Sequence, residues 1–147
     1  MLATLRERTE AKAEAIGALY DQDWSAVPDE SLRCALAELF DPEAVFVAEP
    51  EPDRESPRAA GRGAAMRLFE AARRDWASVR HLVERVDSRG DQVLVCGRVL
   101  AEARESGSRA WFEFAHVWTL ENGRVARVVA HPGAEAARAA APVAKAL

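Results

Sequence analysis

His116 stands in the middle of an apolar run, Phe114-Ala-His-Val-Trp118, and it is the residue of this chain best placed to do chemistry. An imidazole is the side chain that both donates and accepts a proton near neutral pH. Glu49 is the second candidate. It closes a short apolar segment, Ala44 to Ala48, at the edge of a long polar loop, and a carboxylate stripped of water there would serve as a general base. Together, His116 and Glu49 form the candidate acid–base set. The plainer readings are a core or interface histidine with one hydrogen bond, and a solvated Glu-Pro-Glu-Pro loop. Phe46, Phe69, Trp76, Phe114 and Trp118, with Val99 and Gly97, would line an aromatic pocket for a ligand. The same spacing also describes ordinary core. Arg98, Glu102 and Glu113 read as an ion-pair ladder on the outside of a sheet, or as a pocket cluster if the faces are reversed. His81 and His131 carry no assigned chemistry, and Met66 and Cys96 read as packing.

The elements that must position these groups follow from periodicity. Leu2, Leu5, Thr9, Ala13, Ile16 and Tyr20 recur at helical spacing, and Asp21-Gln22-Asp23 ends that helix. A second helix runs near Pro28 to Phe40, with Leu32, Leu36 and Leu39 as its stripe, and stops at Asp41-Pro42. The strand 44–48 follows, then the loop from Glu49 to Gly61 with three prolines. A third helix is expected after Gly61 and Gly63, aligning Met66, Phe69, Ala72 and Trp76 on one face. Val79 to Asp87 opens a meander that continues with apolar strands from Val93 to Ala130, turning at Ser106-Gly107 and Asn122-Gly123. Ala134 to Leu147 is an Ala-rich tail, so the domain is expected to span 1–133 and the tail 134–147.

A two-residue turn at Ser106-Gly107 would set Ala101 opposite Phe112, Val99 opposite Phe114 and Gly97 opposite His116, leaving ligand space beside the histidine. At Asn122-Gly123, Leu120 would face Val125, Trp118 would face Arg127 and His116 would face Val129. One face then carries Val93, Val95, Gly97, Val99, Ala101, Phe112, Phe114, His116, Trp118 and Leu120, and is read as inward. The other carries Leu94, Cys96, Arg98, Leu100, Glu102, Trp111, Glu113, Ala115, Val117 and Val128. It is too apolar for open water, so a second copy of the chain is expected to cover it. A β-bulge in the last pair would swap the faces beyond it.

The totals bound the function. A chain of 147 residues suits one domain with a real core, and a net charge of −4 argues against nucleic acid. Cys34 and Cys96 fit no metal or redox spacing and are expected as reduced thiols in the cytosol. No apolar run suits a membrane span, and no phosphate loop, nucleophile elbow or metal cluster is visible. No cofactor is expected.

Asp23-Trp24, Leu39-Phe-Asp-Pro-Glu-Ala-Val45, Gly61 to Phe69, and above all Phe114-Ala-His-Val-Trp-Thr-Leu-Glu-Asn-Gly-Arg124 resemble the SnoaL-like branch of the nuclear transport factor two-like superfamily. The order of elements to His131 is similar too. The resemblance implies an α+β cone, with a curved mixed or antiparallel sheet wrapped around three helices and one internal pocket. It also implies dimers through the sheet. The superfamily includes ketosteroid isomerases, epoxide hydrolases, and polyketide cyclases and dehydratases. The isomerase tyrosine position falls on Ala15 or Ile16, its first acid on Ala48 or Glu49, and its second on Ala115 or His116. The hydrolase Arg/Asp pair falls on Gly97 and Val99, or on Arg98 and Leu100. Neither constellation is complete. The expectation is a cytoplasmic dimer with an apolar pocket for a small hydrophobic metabolite. The alternatives are a cofactor-free isomerase, cyclase, dehydratase or hydrolase using His116, and a non-catalytic accessory protein with a filled cavity.

Overall fold

The computed structural model describes residues 4–23, 26, 29–48, 58–61, 63, 67, 70, 74–133, 135, 137 and 138. It is an α+β fold. Helices α1 (Leu5–Leu19) and α2 (Asp29–Leu39) precede strands β1 (Phe40–Ala48), β2 (Arg58–Ala60), β3 (Trp76–Arg89), β4 (Gln92–Ala103), β5 (Arg109–Glu121) and β6 (Arg124–His131). The strands form one mixed sheet ordered β2-β1-β6-β5-β4-β3, in which only β1 and β6 run parallel. The described elements contain two helices, not the expected three: of the expected third helix only residues 63, 67, 70, 74 and 75 are described, all helical, and its stripe of Met66, Phe69 and Ala72 lies outside the described residues. Glu49 lies outside them as well, as does Trp24.

Helix α1 starts where local chemistry dictates. Thr4 Oγ1 accepts from Glu7 N–H while Glu7 Oε2 accepts from Thr4 N–H, a reciprocal cap. Its apolar stripe ends on Tyr20, the C-cap. Thr9, buried at 2% exposure, donates from Oγ1 to the Gly90 carbonyl at 2.8 Å and ties α1 to the β3–β4 turn. Beyond the helix, Asp23 accepts from Ser78 Oγ at 2.8 Å and from Val79 N–H at 3.1 Å, with Arg80 Nε 3.6 Å away. The chain leaving α1 is thus fastened to the start of β3.

The inward face is as read from the pattern: Val93, Val95, Val99, Ala101, Phe114, Trp118 and Leu120 form one core with Ile16 and Tyr20 of α1. The register differs. The β4–β5 connection is a four-residue loop closed by Ala103 N–H to the Ser108 carbonyl, so Ala101 faces Ala110, Val99 faces Phe112, Gly97 faces Phe114 and Val95 faces His116. The slip is two residues, and side chains alternate with period two, so the faces survive. In β5–β6 the anticipated bulge is present: Leu120 faces Val125, but Thr119 faces Arg127 and Trp118 faces Val128. Ala126 is the extra residue, and Val128 therefore joins the inner core instead of the outer face.

Three further differences have physical causes. Trp76 begins β3 opposite Ala103 rather than ending a helix, because Arg104 N–H bonds the Asp75 carbonyl and Arg104 Nη2 bonds that of Trp76, extending the ladder. β1 starts at Phe40, four residues earlier than expected, and its pairing with β6 is irregular between Phe40 and Val45. Pro42 has no N–H for the ladder and Asp41 Oδ1 accepts from Glu43 N–H at 2.8 Å, so the chain bows out there. Gly97 does not make ligand space beside His116. It sits against the β3 irregularity between Val83 and Arg85, where a Cβ would collide with the Leu82 carbonyl oxygen and the Glu84 amide.

The outer face is covered in part by the chain itself. Ala137 packs with Leu94, Cys96, Ala115 and Val117, and Gly133 lies so close to Glu113 that a Cβ there would meet the carboxylate. Elsewhere the charges differ from the expected Arg98, Glu102 and Glu113 ladder: Arg98 pairs with Glu84 at 3.0 Å, lies over the Trp111 ring at 5.5 Å, and has Glu113 only as its cross-strand neighbour. These exposed pairs add little stability.

Gly97→Ala is expected to destabilise the fold by about 1–3 kcal/mol, because the added carbon meets backbone that has no room to move. Urea unfolding should show a lower midpoint. Asp23→Ala removes two hydrogen bonds at a partly buried carboxylate and should cost a similar amount, about 1–3 kcal/mol.

Candidate functional site

The inner face of β5 places Phe114, His116 and Trp118 in a row, two residues apart, and Tyr20 descends on that row from the end of α1. The Tyr20 hydroxyl lies 2.6 Å from His116 Nδ1 and 3.0 Å from Trp118 Nε1. An indole nitrogen only donates, so Trp118 N–H gives its proton to the tyrosine oxygen. With Tyr20 Oη donating its own hydrogen to His116 Nδ1, all three groups are satisfied. That assignment makes His116 the tautomer with its proton on Nε2.

Electrostatics favours the same assignment. Burial at 1% exposure holds the Tyr20 phenol well above its ordinary range, opposed in part by the Trp118 hydrogen bond, so it stays protonated. Burial pulls the His116 imidazole down to about 3, with further lowering from His81 and His131. Burial likewise brings His81 down to about 4. Both imidazoles are therefore neutral at pH 7.

His81 was not singled out by sequence reasoning, yet its ring centroid lies 5.1 Å from Tyr20, 5.0 Å from Phe114 and 6.3 Å from His116. The signal was available. His81 sits two residues from Val79 and two from Val83, both packed on the inner core, and period two puts it on the same face. Tyr20 was read only as a stripe residue, although it follows Ile16 by four and is the chain's one tyrosine. Its hydroxyl, one helical turn beyond the Ala15 or Ile16 position of the family pattern, is the one that reaches the sheet.

Among the other expected wall residues, Phe114 stacks on Tyr20 at 5.7 Å and Trp118 meets Phe40 at 5.5 Å. Phe46 stacks on Phe40 at 5.1 Å. Val99 is buried in the same core, and Trp76 packs against it from the start of β3. Phe69, like Glu49, lies outside the described residues. His116, His81, Phe46, Trp76, Val79 and Val83 all retain partial accessibility although they point inward or pack on the core. His131 is buried at the end of β6, opposite Ala115. Among the described residues no group of three His, Cys, Asp or Glu could hold a metal ion, and no helix is long and apolar enough to cross a membrane.

An α+β cone whose first helix closes on the fifth strand defines the class of fold. The SnoaL-like domain matches residues 29–128, and the chain belongs to that family. No curated protein matches by sequence. Among solved structures, a SnoaL-like protein of Jannaschia sp. CCS1 assigned as a polyketide cyclase is 18% identical, with 88% of each chain covered and a TM-score of 0.71. A phenazine biosynthesis-related protein of Pseudomonas aeruginosa is 13% identical over 92% of this chain and 88% of its own, with a TM-score of 0.68. A Catenulispora acidiphila protein of ketosteroid isomerase-like fold, in complex with trimethylamine, is 13% identical over 86% and 90%, with a TM-score of 0.65. At these identities the likeness is one of fold.

Acid should unfold this protein early. In the unfolded chain both histidines take up protons below about pH 6.5. In the folded state His81 does so only near 4 and His116 near 3. Their depressed values leave stability intact above about pH 6.5 and drain it as pH falls, by about 1 kcal/mol per pH unit for each imidazole. Urea titrations at pH 7.5, 6 and 5 should show this slope, and His116→Gln should roughly halve it. Tyr20→Phe strands the Trp118 indole and His116 Nδ1 and should cost about 1–3 kcal/mol at pH 7.5.

Proposed function

We propose that this protein binds a compact, largely apolar molecule carrying a hydrogen-bond acceptor, such as a ketone or lactone, inside its cone. The observation that carries this reading is the Tyr20–His116 contact at 2.6 Å. It spends both polar atoms of the tyrosine hydroxyl within the protein and leaves His116 Nε2–H as a neutral donor in aromatic surroundings. The partial accessibility of His116 and His81 supports open space beside them rather than a filled cavity. A pocket walled by Phe114, Trp118 and Phe46 with one or two convergent polar groups is how small-molecule sites are built. That a Catenulispora acidiphila protein of similar fold was solved in complex with trimethylamine supports the reading.

A second reading is cofactor-free acid–base catalysis of an isomerisation, cyclisation, dehydration or hydrolysis. The His81–His116 pair, 6.3 Å between ring centroids, favours it, since one neutral imidazole can accept while the other donates. Magnitude decides between the two. A base whose conjugate acid titrates at about 3 or 4 is weak at neutral pH, far from the value that makes proton transfer efficient. Binding needs only the donor.

Nitrogen–proton NMR titration with a panel of small cyclic and aromatic ketones should move the amides of His81, Val99, Phe114 and His116. His116→Ala should weaken that binding about tenfold, the worth of one buried hydrogen bond, with the spectrum otherwise folded. No movement across the panel, together with a native mass spectrum free of co-purified ligand, would refute the reading.

A further inference from the structure

We infer a second, separate binding site on the flank of α1, beside the β5–β6 turn, for a small organic anion with an apolar body. A groove of about 340 Å³ lies there. Its apolar side is formed by Leu120 and by Leu5, a leucine left 55% exposed. Its polar side is Arg8 and Lys12 on α1 and the Asn122-Gly123 turn. Among the described residues no acidic side chain lines it.

The charges are the telling feature. Arg8 and Lys12 stand four residues apart on one helix face, where like charges repel. On another face of the same helix Arg6 and Glu10, also four apart, pair at 2.9 Å. Arg8 and Lys12 make no ion pair among the described residues, in a chain whose net charge is −4. Glu121, next to the turn, has Arg124 as its cross-strand neighbour. Lys12 is half-buried and lines the groove beside Arg8. A carboxylate seated between the two cations would relieve their repulsion, and its hydrocarbon would cover Leu5 and Leu120.

The frame is rigid enough to act as a site. Thr9, between the two cations, is locked to Gly90, and the turn carries the positive φ values of a tight hairpin, 53° at Asn122 and 79° at Gly123. The volume lies at the lower end of small-molecule pockets, which suits a monocarboxylate of a few carbons. The site stands apart from the Tyr20–His116 contact and does not depend on the interior reading.

The test is an NMR titration of the intact protein with hexanoate, hexanol and acetate. Hexanoate should shift the amides of Thr9, Lys12, Leu120 and Gly123, leaving Phe114 and His116 unmoved. Hexanol, which lacks the charge, and acetate, which lacks the chain, should each bind at least about tenfold more weakly. The double variant R8Q/K12Q should keep its circular dichroism spectrum and weaken hexanoate about tenfold. Hexanol matching hexanoate, R8Q/K12Q binding as tightly as the parent, or hexanoate shifting only interior amides would each overturn the assignment.

Discussion

Tyr20 joins the two layers of this protein, and most of the interior is arranged around it. Its ring fills the space between α1 and β5, stacked on Phe114 and edge-on to Trp118 and His81. Its hydroxyl cannot be left bare in such surroundings, because an unpaired polar atom there costs more than a hydrogen bond returns. Trp118 and His116 supply the partners. The same contact therefore docks the helix, orients the histidine and selects its tautomer. A phenol that stays protonated and an imidazole that stays neutral are two sides of one desolvation effect.

Irregularities in the sheet decide where this contact sits. Gly97 admits the displaced backbone of β3. The extra residue Ala126 brings Val128 under Trp118. Pro42 breaks the β1–β6 pairing and lets Phe40 enter the core beside Trp118. Each is a local departure from ideal pairing, and bulges of this kind bend a strand and increase its twist. A sheet without them would present the same apolar residues on a flatter wall. Solved structures that share this fold differ in what they are assigned to do, as expected when a fold hosts function only through the few groups placed on it.

α1 presents two chemistries along its length. Its C-terminal end is dry and aromatic, carrying Ile16 and Tyr20 into the core. Its N-terminal half is amphipathic and basic on the side facing the β5–β6 turn. The outer face of the sheet divides likewise: one patch lies under Ala137 of the same chain, and another carries charged side chains over Trp111. The apolar outer positions that suggested a second copy thus find part of their cover in the chain's own C-terminal segment.

Periodicity and turn chemistry were enough to read the order of elements, the inward stripe from Val93 to Leu120 and the place of His116 on it, because these depend on residues near one another in the chain. The faces held even where the β4–β5 loop differed, since a slip of two residues leaves alternation unchanged. What stayed hidden rests on distance in sequence: the hydroxyl of Tyr20 meets an imidazole 96 residues away, and His81 joins them only once β3, β4 and β5 lie side by side. The same holds for Gly97, whose meaning changed from ligand space to backbone clearance when its true neighbour proved to be Leu82. Local pattern dictates which face a residue takes; which distant atom it meets there is set by packing, through bulges and loop lengths too subtle for any short stretch of chain to announce.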